Sequence, residues 1–184
     1  FIPSPAERGM VAGFTEAYRK GNPLERKISA TEPLSVFVFK TIADPFAGRI
    51  NYFKVISGVL KNDATIANFN RNTQERLQHV QVMQGKTGTE VALLNVGDIG
   101  AIAKLKETLT GDTLGDKAAT IFYPPARIPE PSITFAIEPK SRADEDKIGT
   151  AIHKLLEEDL ALRFSRDQQT KEFLLAGSGQ QHIE

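Results

Sequence analysis

Residues 35–57 read SVFVFKTIADPFAGRINYFKVIS, and this stretch carries two β-strand patterns with a turn signal between them. The first pattern, residues 35–42, is dense in β-branched and aromatic side chains, which favour strands. Asp44 and Pro45 end it, since both residues are typical of turns. In the second pattern, residues 49–57, side chains alternate between two faces, with Ile50, Tyr52 and Lys54 on one and Asn51, Phe53 and Val55 on the other. Two strands are therefore predicted here.

Further short strand-like runs follow at near-regular spacing. They lie at residues 65–69, 76–83, 91–94 and 99–106, and turn-forming segments at residues 61–63, 84–88 and 95–98 separate them. Helical periodicity is almost absent from this part of the chain. Short strands with regular turn signals are typical of a small all-β fold that closes on itself. We therefore predict a closed or nearly closed β-barrel over residues 34–122.

Both flanks of the predicted barrel are rich in proline. Residues 1–33 contain four Pro and three Gly, and we predict an extended lead-in with one short turn of helix at residues 15–20. Residues 123–131, YPPARIPEP, hold four prolines in nine positions. Because each proline lacks an N–H and fixes φ, neither a helix nor a central strand fits this segment. We predict that it links two domains.

Residues 132–184 predict a second, smaller domain of α+β type, in the order strand, helix, strand, turn, strand. The first strand is at residues 132–138, the turn at 166–171 and the last strand at 172–176. The helix is indicated by one apolar stripe with helical spacing, formed by Ile148, Ala151, Ile152, Leu155 and Leu156. Its start resembles a capping box, because Ser141 is followed three residues later by Asp144. Asp144, Glu145 and Asp146 also lie where the helix dipole favours negative charge. No second helix covers the predicted sheet, so we expect an incomplete domain and a chain that is part of a longer one.

Composition excludes several kinds of site. The chain has no Cys, which rules out disulfides, zinc-thiolate sites and a cysteine nucleophile. Its apolar runs fall far short of the ~20 residues that span a bilayer, and we expect neither a membrane anchor nor a signal peptide. The net charge is zero, yet residues 1–128 hold 16 Lys and Arg against 12 Asp and Glu. This mild excess permits contact with nucleic acid but is not a strongly basic footprint.

The segment QGKTG, residues 84–88, contains Gly-Lys-Thr, with which a phosphate-binding P-loop ends. The P-loop pattern also needs a glycine at position 80, where this chain has Val80. A P-loop is followed by a helix whose N-terminus faces the phosphates, whereas residues 89–94 resemble a strand. We therefore predict a hairpin loop, with Gly85 and Gly88 as turn residues.

The sequence shows no catalytic or metal-binding constellation. Residues 112–115 fit the D-x-x-G pattern of GTPases, but the base-recognition motif N-K-x-D is absent. The three histidines stand far apart, with no H-x-x-x-H pair. Ser178 lacks the glycine two positions earlier that a nucleophile elbow has. We predict no catalytic, cofactor-binding or metal-binding residue in this chain.

Four blocks of the chain resemble, in order, a single protein family. They are IADPFAGRINYFKVISGVL (42–60), VGDIGAIAKLKETLTGDTL (96–114), FAIEPKSRADEDKIGTAIHKLLEED (135–159) and LAGSGQQHIE (175–184). Together they are similar to the second and third domains of translation elongation factor G. The opening FIPSP resembles the linker that follows the GTPase domain in that family. The resemblance covers nearly the whole chain.

This resemblance implies a cytoplasmic, ribosome-associated translational GTPase. It implies a domain II β-barrel followed by a ferredoxin-like α+β domain III that lacks its second helix and final strand. The GTPase site, with GTP and Mg²⁺, would lie in a domain ahead of Phe1, so this fragment would be non-catalytic and without a cofactor. The barrel would pack on that GTPase domain and contact small-subunit rRNA. The third domain would lie between the barrel and the C-terminal domains and help relay the nucleotide state.

The chain departs from the common form of the family at several positions. Where the family usually reads S-G-M-G-E-L-H-L, residues 176–183 read AGSGQQHI, and Leu160 stands where a proline usually follows E-E-D. Residues 84–89 also differ from the common form. These departures indicate an elongation factor G-like paralogue. Translocation of tRNA, ribosome recycling and a more specialised step are all compatible with them.

Three cations in or near the barrel strands and turns are candidate rRNA contacts, namely Arg49, Lys54 and Arg71. Solvated surface charge is an equally good interpretation of each. Two other functions stay open. One is a stand-alone nucleotide-binding enzyme that uses Lys86 and Thr87. The other is a barrel that binds the end of aminoacyl-tRNA, as the related barrel of elongation factor Tu does.

Overall fold

The computed structural model of the chain describes residues 2–17, 21–139 and 141–184. The chain divides into two compact units, Phe1–Ala126 and Arg127–Glu184. The division therefore falls inside the proline-rich segment that starts at Tyr123. That tyrosine is only 5% exposed and belongs to the interior of the first unit.

The first unit is almost entirely β-structure. Its elements are α1 (Pro5–Arg8), β1 (Met10–Phe14), β2 (Pro23–Lys27), β3 (Ser35–Asp44), β4 (Gly48–Ser57), β5 (Leu60–Lys61), β6 (Thr65–Asn68), β7 (Thr73–Arg76), β8 (Gln81–Gln84), β9 (Thr87–Glu90), β10 (Leu93–Leu94), β11 (Ile99–Ala103), β12 (Thr113–Gly115) and a 3₁₀ turn at Lys117–Ala119.

The two strands predicted within residues 35–57 lie at the centre of this unit. β3 and β4 pair antiparallel in an eight-stranded sheet with the order β7-β6-β12-β3-β4-β11-β8-β9. Asn51, Phe53 and Val55 of β4 are buried, while the side chains between them are half-buried. The alternation predicted for residues 49–57 is confirmed, and so is the mainly β fold of this unit.

One hydrophobic core fills the inside of the barrel. Its most buried members include Val36, Val38, Phe53, Val55, Leu60, Leu77, Val80, Ile102 and Leu114. Fully burying such side chains contributes roughly 1.5–3 kcal/mol each. Because the core takes residues from the connections as well as the strands, it also holds the loops at the barrel's ends in place.

Three predicted strand runs are clearly shorter in the structure than the sequence indicated. The run at residues 76–83 is broken, since β7 ends at Arg76 and β8 begins at Gln81. Between them His79 has φ of +56°, a left-handed conformation that no strand contains. The run at residues 99–106 ends at Ala103 for the same reason, because Lys104 has φ of +64°. Of the run at residues 91–94, only Leu93–Leu94 forms a strand.

The predicted extended lead-in is instead a paired hairpin. β1 and β2 are antiparallel from Met10↔Lys27 to Phe14↔Pro23. The backbone of Phe14 exchanges two hydrogen bonds of 2.9 Å with that of Phe122, which ties the hairpin to the end of the barrel. Pro and Gly at its ends masked a strand pattern of only five residues. The turn of helix predicted at residues 15–20 lies partly outside the described residues.

A chain of hydroxyl groups fastens the first residue of the proline-rich segment to the barrel. Ser57 donates to the carbonyl oxygen of Pro33 at 2.6 Å, and the Ser35 hydroxyl lies 2.7 Å from the hydroxyls of both Ser57 and Tyr123. Since each hydroxyl has one proton, Ser35 donates to Ser57 and Tyr123 donates to Ser35. Burial raises the pKa of Tyr123, while the Ser35 hydrogen bond acts in the opposite direction. The neutral phenol therefore persists as the donor at neutral pH.

The second unit is a three-stranded antiparallel sheet with one long helix. Its elements are β13 (Ile133–Ile137), α2 (Arg142–Glu158), β14 (Arg163–Arg166), β15 (Phe173–Gly177) and α3 (Gln180–Ile183), with the strand order β13-β15-β14. Its buried apolar side chains include Ile152 of α2, Leu162, and Leu175 of β15. The predicted α+β class and element order are confirmed, whereas α3 was not predicted.

The start of α2 differs in detail from the predicted capping box. Ser141 is the N-cap residue, but its hydroxyl donates to the Asp144 carboxylate at 2.6 Å instead of accepting a backbone N–H. Asp144 also lies 3.3 Å from the ammonium of Lys147. The side chains of Glu145 and Asp146, to which we assigned a dipole role, lie outside what the structure describes.

His182 connects α3 to the end of α2. Its Nδ1 accepts the N–H of Ser178 at 3.0 Å, so Nε2 carries the proton and donates to Asp159 Oδ2 at 2.8 Å.

We expect His182→Ala to destabilise the second unit by about 1–2 kcal/mol, because two hydrogen bonds are lost, one of them to a charged group. Hydrogen exchange of the β15 amides measures the effect. His153→Ala, at an exposed position of α2, is the matched control, and equal protection in both variants would contradict the assignment.

Candidate nucleic-acid interface

The three predicted rRNA contacts do not form one cluster. Arg49 and Lys54 both lie on β4, and Arg71 follows β6 in the connection to β7. Five residues along a strand correspond to about 17 Å, and an odd spacing places the two side chains on opposite faces. Arg49 and Lys54 therefore belong to different surfaces of the barrel.

Arg49 and Arg71 are instead connected by one loop, residues 104–112 between β11 and β12, which we call the 104–112 loop. Arg49 Nη1 donates to the carbonyl oxygen of Lys106 at 3.2 Å. Arg71 Nε donates to Asp112 Oδ2 at 3.2 Å. The two arginines thus bind the same loop from two sides, although they are far apart in the sequence.

Two buried carboxylates fix the backbone of the 104–112 loop. Glu75, 3% exposed, accepts hydrogen bonds from the N–H groups of Lys106 and Glu107 at 3.2 and 2.9 Å and from the hydroxyl of Thr108 at 3.0 Å. Asp112, also 3% exposed, accepts from Leu109 N and Asn68 Nδ2 at 3.0 Å each, besides Arg71. Buried charges are retained when they are hydrogen-bonded in this way.

Asn51 provides a third support of the loop from inside the barrel. Its Nδ2 donates to the hydroxyl of Thr41 at 3.0 Å and to the carbonyl oxygen of Thr108 at 3.1 Å. The sequence pattern places Asn51 on the same face as Phe53 and Val55 without a reason for a polar residue there. The structure supplies the reason, since Asn51 links β4 to the loop.

The loop presents cations that the sequence reasoning missed. Lys104 and Lys106 are exposed, while Leu105 between them is buried in the core. The negative charges of Glu75 and Asp112 are directed into the hydrogen-bond network, and Glu107 is the exposed acid of the loop. The available signal was the K-L-K pattern of residues 104–106, where a buried residue separates two exposed ones. Together with Arg49, this loop forms a positively charged edge.

Lys54 lies on a separate, more apolar surface. It pairs in register with Phe37 of β3 and Ile99 of β11, and it lines a cavity of about 280 Å³ together with Val11, Ile28 and Ile56. Arg8 is the second cation of that cavity. Lys54 therefore belongs to a different surface from the 104–112 loop.

The QGKTG segment is a hairpin turn, as predicted. β8 and β9 pair from Gln81↔Glu90 to Gln84↔Thr87, which leaves Gly85 and Lys86 as a two-residue turn, with φ of +60° at Gly85. Gly88 is not a turn residue, as it pairs within β9. A Cβ at Gly88 would lie 2.2 Å from Gln81 Oε1, so this glycine leaves room for the Gln81 side chain.

The QGKTG segment does not fit a nucleotide, and the described part of the chain offers no cluster that fits a metal ion. A strand follows Lys86, so no helix N-terminus is available to hold phosphate groups. Among the residues that the structure describes, no three His, Asp or Glu side chains are grouped in a way that could bind a metal ion. The helices within the described ranges are also too short or too polar to cross a membrane.

Comparison with known proteins identifies the family. Residues 33–117 match the model of elongation factor G domain 2, and residues 128–184 match that of Elongation Factor G, domain III. The chain belongs to the elongation factor G family. A crystal structure of a protein from Thermus thermophilus is 31% identical in sequence and matches 99% of this chain with a TM-score of 0.78. This chain spans 24% of the length of that one.

The elongation factor G match places the positively charged edge in one domain. Arg49, Arg71 and the 104–112 loop all lie within the residues that match domain 2, and Lys54 lies there as well. Neither family match is to a GTPase domain. The resemblance inferred from the four sequence blocks is therefore confirmed, for both domains and in the same order.

Proposed function

We propose that this chain is the non-catalytic, ribosome-contacting part of an elongation factor G-like translational GTPase. The observation that carries the proposal is the order of the two family matches, domain 2 and then domain III, across residues 33–184. In this proposal the barrel contacts small-subunit rRNA in the cytoplasm. The second unit relays the nucleotide state between the GTPase domain and the C-terminal domains of the parent protein.

The positively charged edge is the surface proposed to contact rRNA. Lys106 is exposed and its backbone is held by Glu75 and Arg49, so its ammonium is presented on a fixed support. The Arg71 side chain is 40% exposed despite the bond to Asp112, which leaves part of the guanidinium available. Lys54 is a second, separate candidate on its own surface. Cations on an ordered backbone suit phosphate contacts, which position a protein on nucleic acid.

GTP and Mg²⁺ are proposed to bind in another domain of the parent. The hairpin geometry of residues 84–88 supports this, as it does not provide a phosphate-binding helix. Isothermal titration of the chain with GTP and Mg²⁺ is expected to give no binding heat. A clear heat at millimolar GTP would favour the stand-alone nucleotide-binding enzyme instead.

Co-sedimentation with small ribosomal subunits at several salt concentrations tests the ribosome contact. We expect binding that weakens steeply with salt, because phosphate contacts release counterions. Lys106→Gln and Arg49→Gln are expected to weaken binding several-fold and to flatten the salt dependence. Lys86→Gln, a change at an exposed lysine of the β8–β9 turn, is the matched control with no expected effect. Binding that is independent of salt, or equal loss in the control, would contradict the proposal.

A further inference from the structure

A cavity of about 370 Å³ opens on the barrel where three separate segments meet. They are the start of β4, the connection between β7 and β8, and the residue that follows β11. Arg76, Gln78, His79, Gln81 and Lys104 line it together with the apolar side chain of Ile50. Cavities that hold small ligands have this size and combine an apolar wall with a few polar groups. The composition offers cations for an anionic group, amides for hydrogen bonds and an apolar wall for a flat ring.

The cations of this cavity are only weakly engaged within the protein. The Lys104 ammonium forms no ion pair with any residue that the structure describes. Arg76 lies 3.6 Å from Asp63 in a pair whose side chains are 64% and 62% exposed, and such pairs contribute little to stability. His79 Nδ1 lies 3.0 Å from Glu90 Oε2, so Nε2 is left for a ligand. A phosphate group would therefore break few existing interactions of these side chains when it binds.

The backbone of the cavity wall is strained at two positions. His79 and Lys104 have φ of +56° and +64°, which residues with a side chain rarely adopt. Packing in the barrel core holds both residues in this conformation, since the next residues along the chain, Val80 and Leu105, are buried in the core. In this barrel the strain holds a histidine and a lysine at the same cavity.

An exposed phenylalanine directly precedes one of the cavity-lining residues in the sequence. Phe46 is 97% exposed and precedes Ala47, which also lines the cavity. Asp44 Oδ1 accepts the N–H groups of Phe46 and Ala47 at 2.8 and 2.7 Å, and these hydrogen bonds, that of Ala47 most, lower the pKa of Asp44. The turn that carries Phe46 is thus fixed while its ring contacts water, an arrangement that suits stacking on a partner.

We propose that this cavity binds one unpaired nucleotide of RNA. The base packs on Ile50 and forms hydrogen bonds through its edge with Gln78 and Gln81, while Arg76 and Lys104 bind the adjoining phosphate. Phe46 stacks on the neighbouring base. Amides that read a base edge, an aromatic ring and cations are the groups with which proteins recognise single-stranded RNA. The proposal rests on the proposed function and adds the class of ligand that this part of the barrel takes.

Fluorescence anisotropy with the full chain tests this site. The probes are a labelled single-stranded RNA 12-mer of mixed sequence and the same strand in a duplex. We expect at least tenfold tighter binding of the single strand. Phe46→Ala is expected to weaken it by roughly tenfold, as for the loss of one stacked base. Lys104→Gln and Arg76→Gln are expected to weaken it several-fold and each to reduce the salt slope by about one. Lys86→Gln is the control that leaves binding unchanged.

Lys104→Gly separates a binding role from a structural one. Glycine adopts positive φ without strain, so this variant is expected to melt at a higher temperature while it binds the single strand several-fold more weakly. Unchanged RNA binding in Lys104→Gly and Phe46→Ala would overturn the site, and so would equal affinity for duplex and single strand. Sedimentation with small subunits distinguishes the two proposals. If the chain binds subunits but these variants bind RNA normally, only the site fails, whereas absence of subunit binding removes the proposed function.

Discussion

Asp112→Ala is expected to lower the free energy of unfolding of the barrel by about 2–5 kcal/mol, because the buried donors of Asn68 and Leu109 lose their acceptor, whereas the partly exposed Arg71 can turn to water. The Asp112 carboxylate is 3% exposed and accepts hydrogen bonds from Asn68, Leu109 and Arg71. Removing it leaves these donors without their acceptor, and a buried unsatisfied donor costs about 1–3 kcal/mol. Urea unfolding followed by circular dichroism measures the change.

Asp116→Ala is the matched control for this prediction. Asp116 is exposed, and its side chain accepts a hydrogen bond from Ala118 N at 3.0 Å. Its removal is expected to cost about 1 kcal/mol or less, as for the loss of one capping contact. Asp112→Asn is expected to lie between the two, because the amide keeps one acceptor but directs N–H groups at other donors. Similar losses for Asp112→Ala and Asp116→Ala would show that the 104–112 loop is not anchored by the buried carboxylate.

Gly58→Ala is expected to destabilise the barrel by about 3 kcal/mol, through a left-handed residue costing ~1–2 kcal/mol and a forced backbone shift costing ~1–3 kcal/mol. Gly58 follows β4 with φ of +74°, and its N–H donates to Ser29 O at 2.9 Å. A Cβ there would lie 2.7 Å from Leu34 Cα and 3.0 Å from Glu32 O. These neighbours are backbone atoms, so they cannot move aside by a change of side-chain rotamer.

Gly48→Ala is the control that has the left-handed backbone but lacks the close contact that a Cβ at Gly58 would make with Leu34. Gly48 has φ of +76°, but nothing lies within 4 Å of the position a Cβ would take. Its substitution is therefore expected to cost only the conformational term, about 1–2 kcal/mol. Thermal and urea unfolding of the two variants give the difference directly. Equal destabilisation would mean that the segment before β3 shifts freely, contrary to the close approach of Leu34 to Gly58.

The proposed RNA site and the positively charged edge are both supported by the 104–112 loop. Lys104 lies at one end of the 104–112 loop and faces the cavity, while Lys106 and Arg49 lie at the edge. The buried carboxylates of Glu75 and Asp112 hold the loop between them. Substituting Asp112 is therefore expected to weaken ribosome binding as well as stability, although Asp112 itself is not an exposed contact.

Much of the fold follows from local patterns in the sequence. The alternation over residues 49–57 requires one face of a strand to be buried, and the apolar stripe of α2 requires one buried helix face. The QGKTG segment is excluded as a P-loop by the missing glycine at position 80 and by the strand that follows it. The strand runs predicted at residues 76–83 and 99–106 are too long, because a left-handed φ is unexpected at a lysine such as Lys104 and only weakly indicated by a histidine such as His79.

The proposed interface follows from the sequence only in part. Cations near barrel strands could be named, and Arg49 and Arg71 do lie at the 104–112 loop. Residue type equally suggests Lys54, but the pleat of β4 places it on another face. The K-L-K pattern at residues 104–106 indicates two exposed lysines but not what they contact, and nothing in the local sequence distinguishes Phe46 from a buried phenylalanine.

By itself, the sequence determined the mainly β first unit, the α+β second unit, the hairpin at residues 84–88 and the elongation factor G family, because strand period, helix period and short motifs are local properties. Only the tertiary structure decided which side chains meet. The Arg49–Lys106 and Arg71–Asp112 bonds join residues 57 and 41 positions apart, and the cavity brings together residues from three segments. Such contacts depend on how the sheet curls around its core, and no local pattern of residues encodes that.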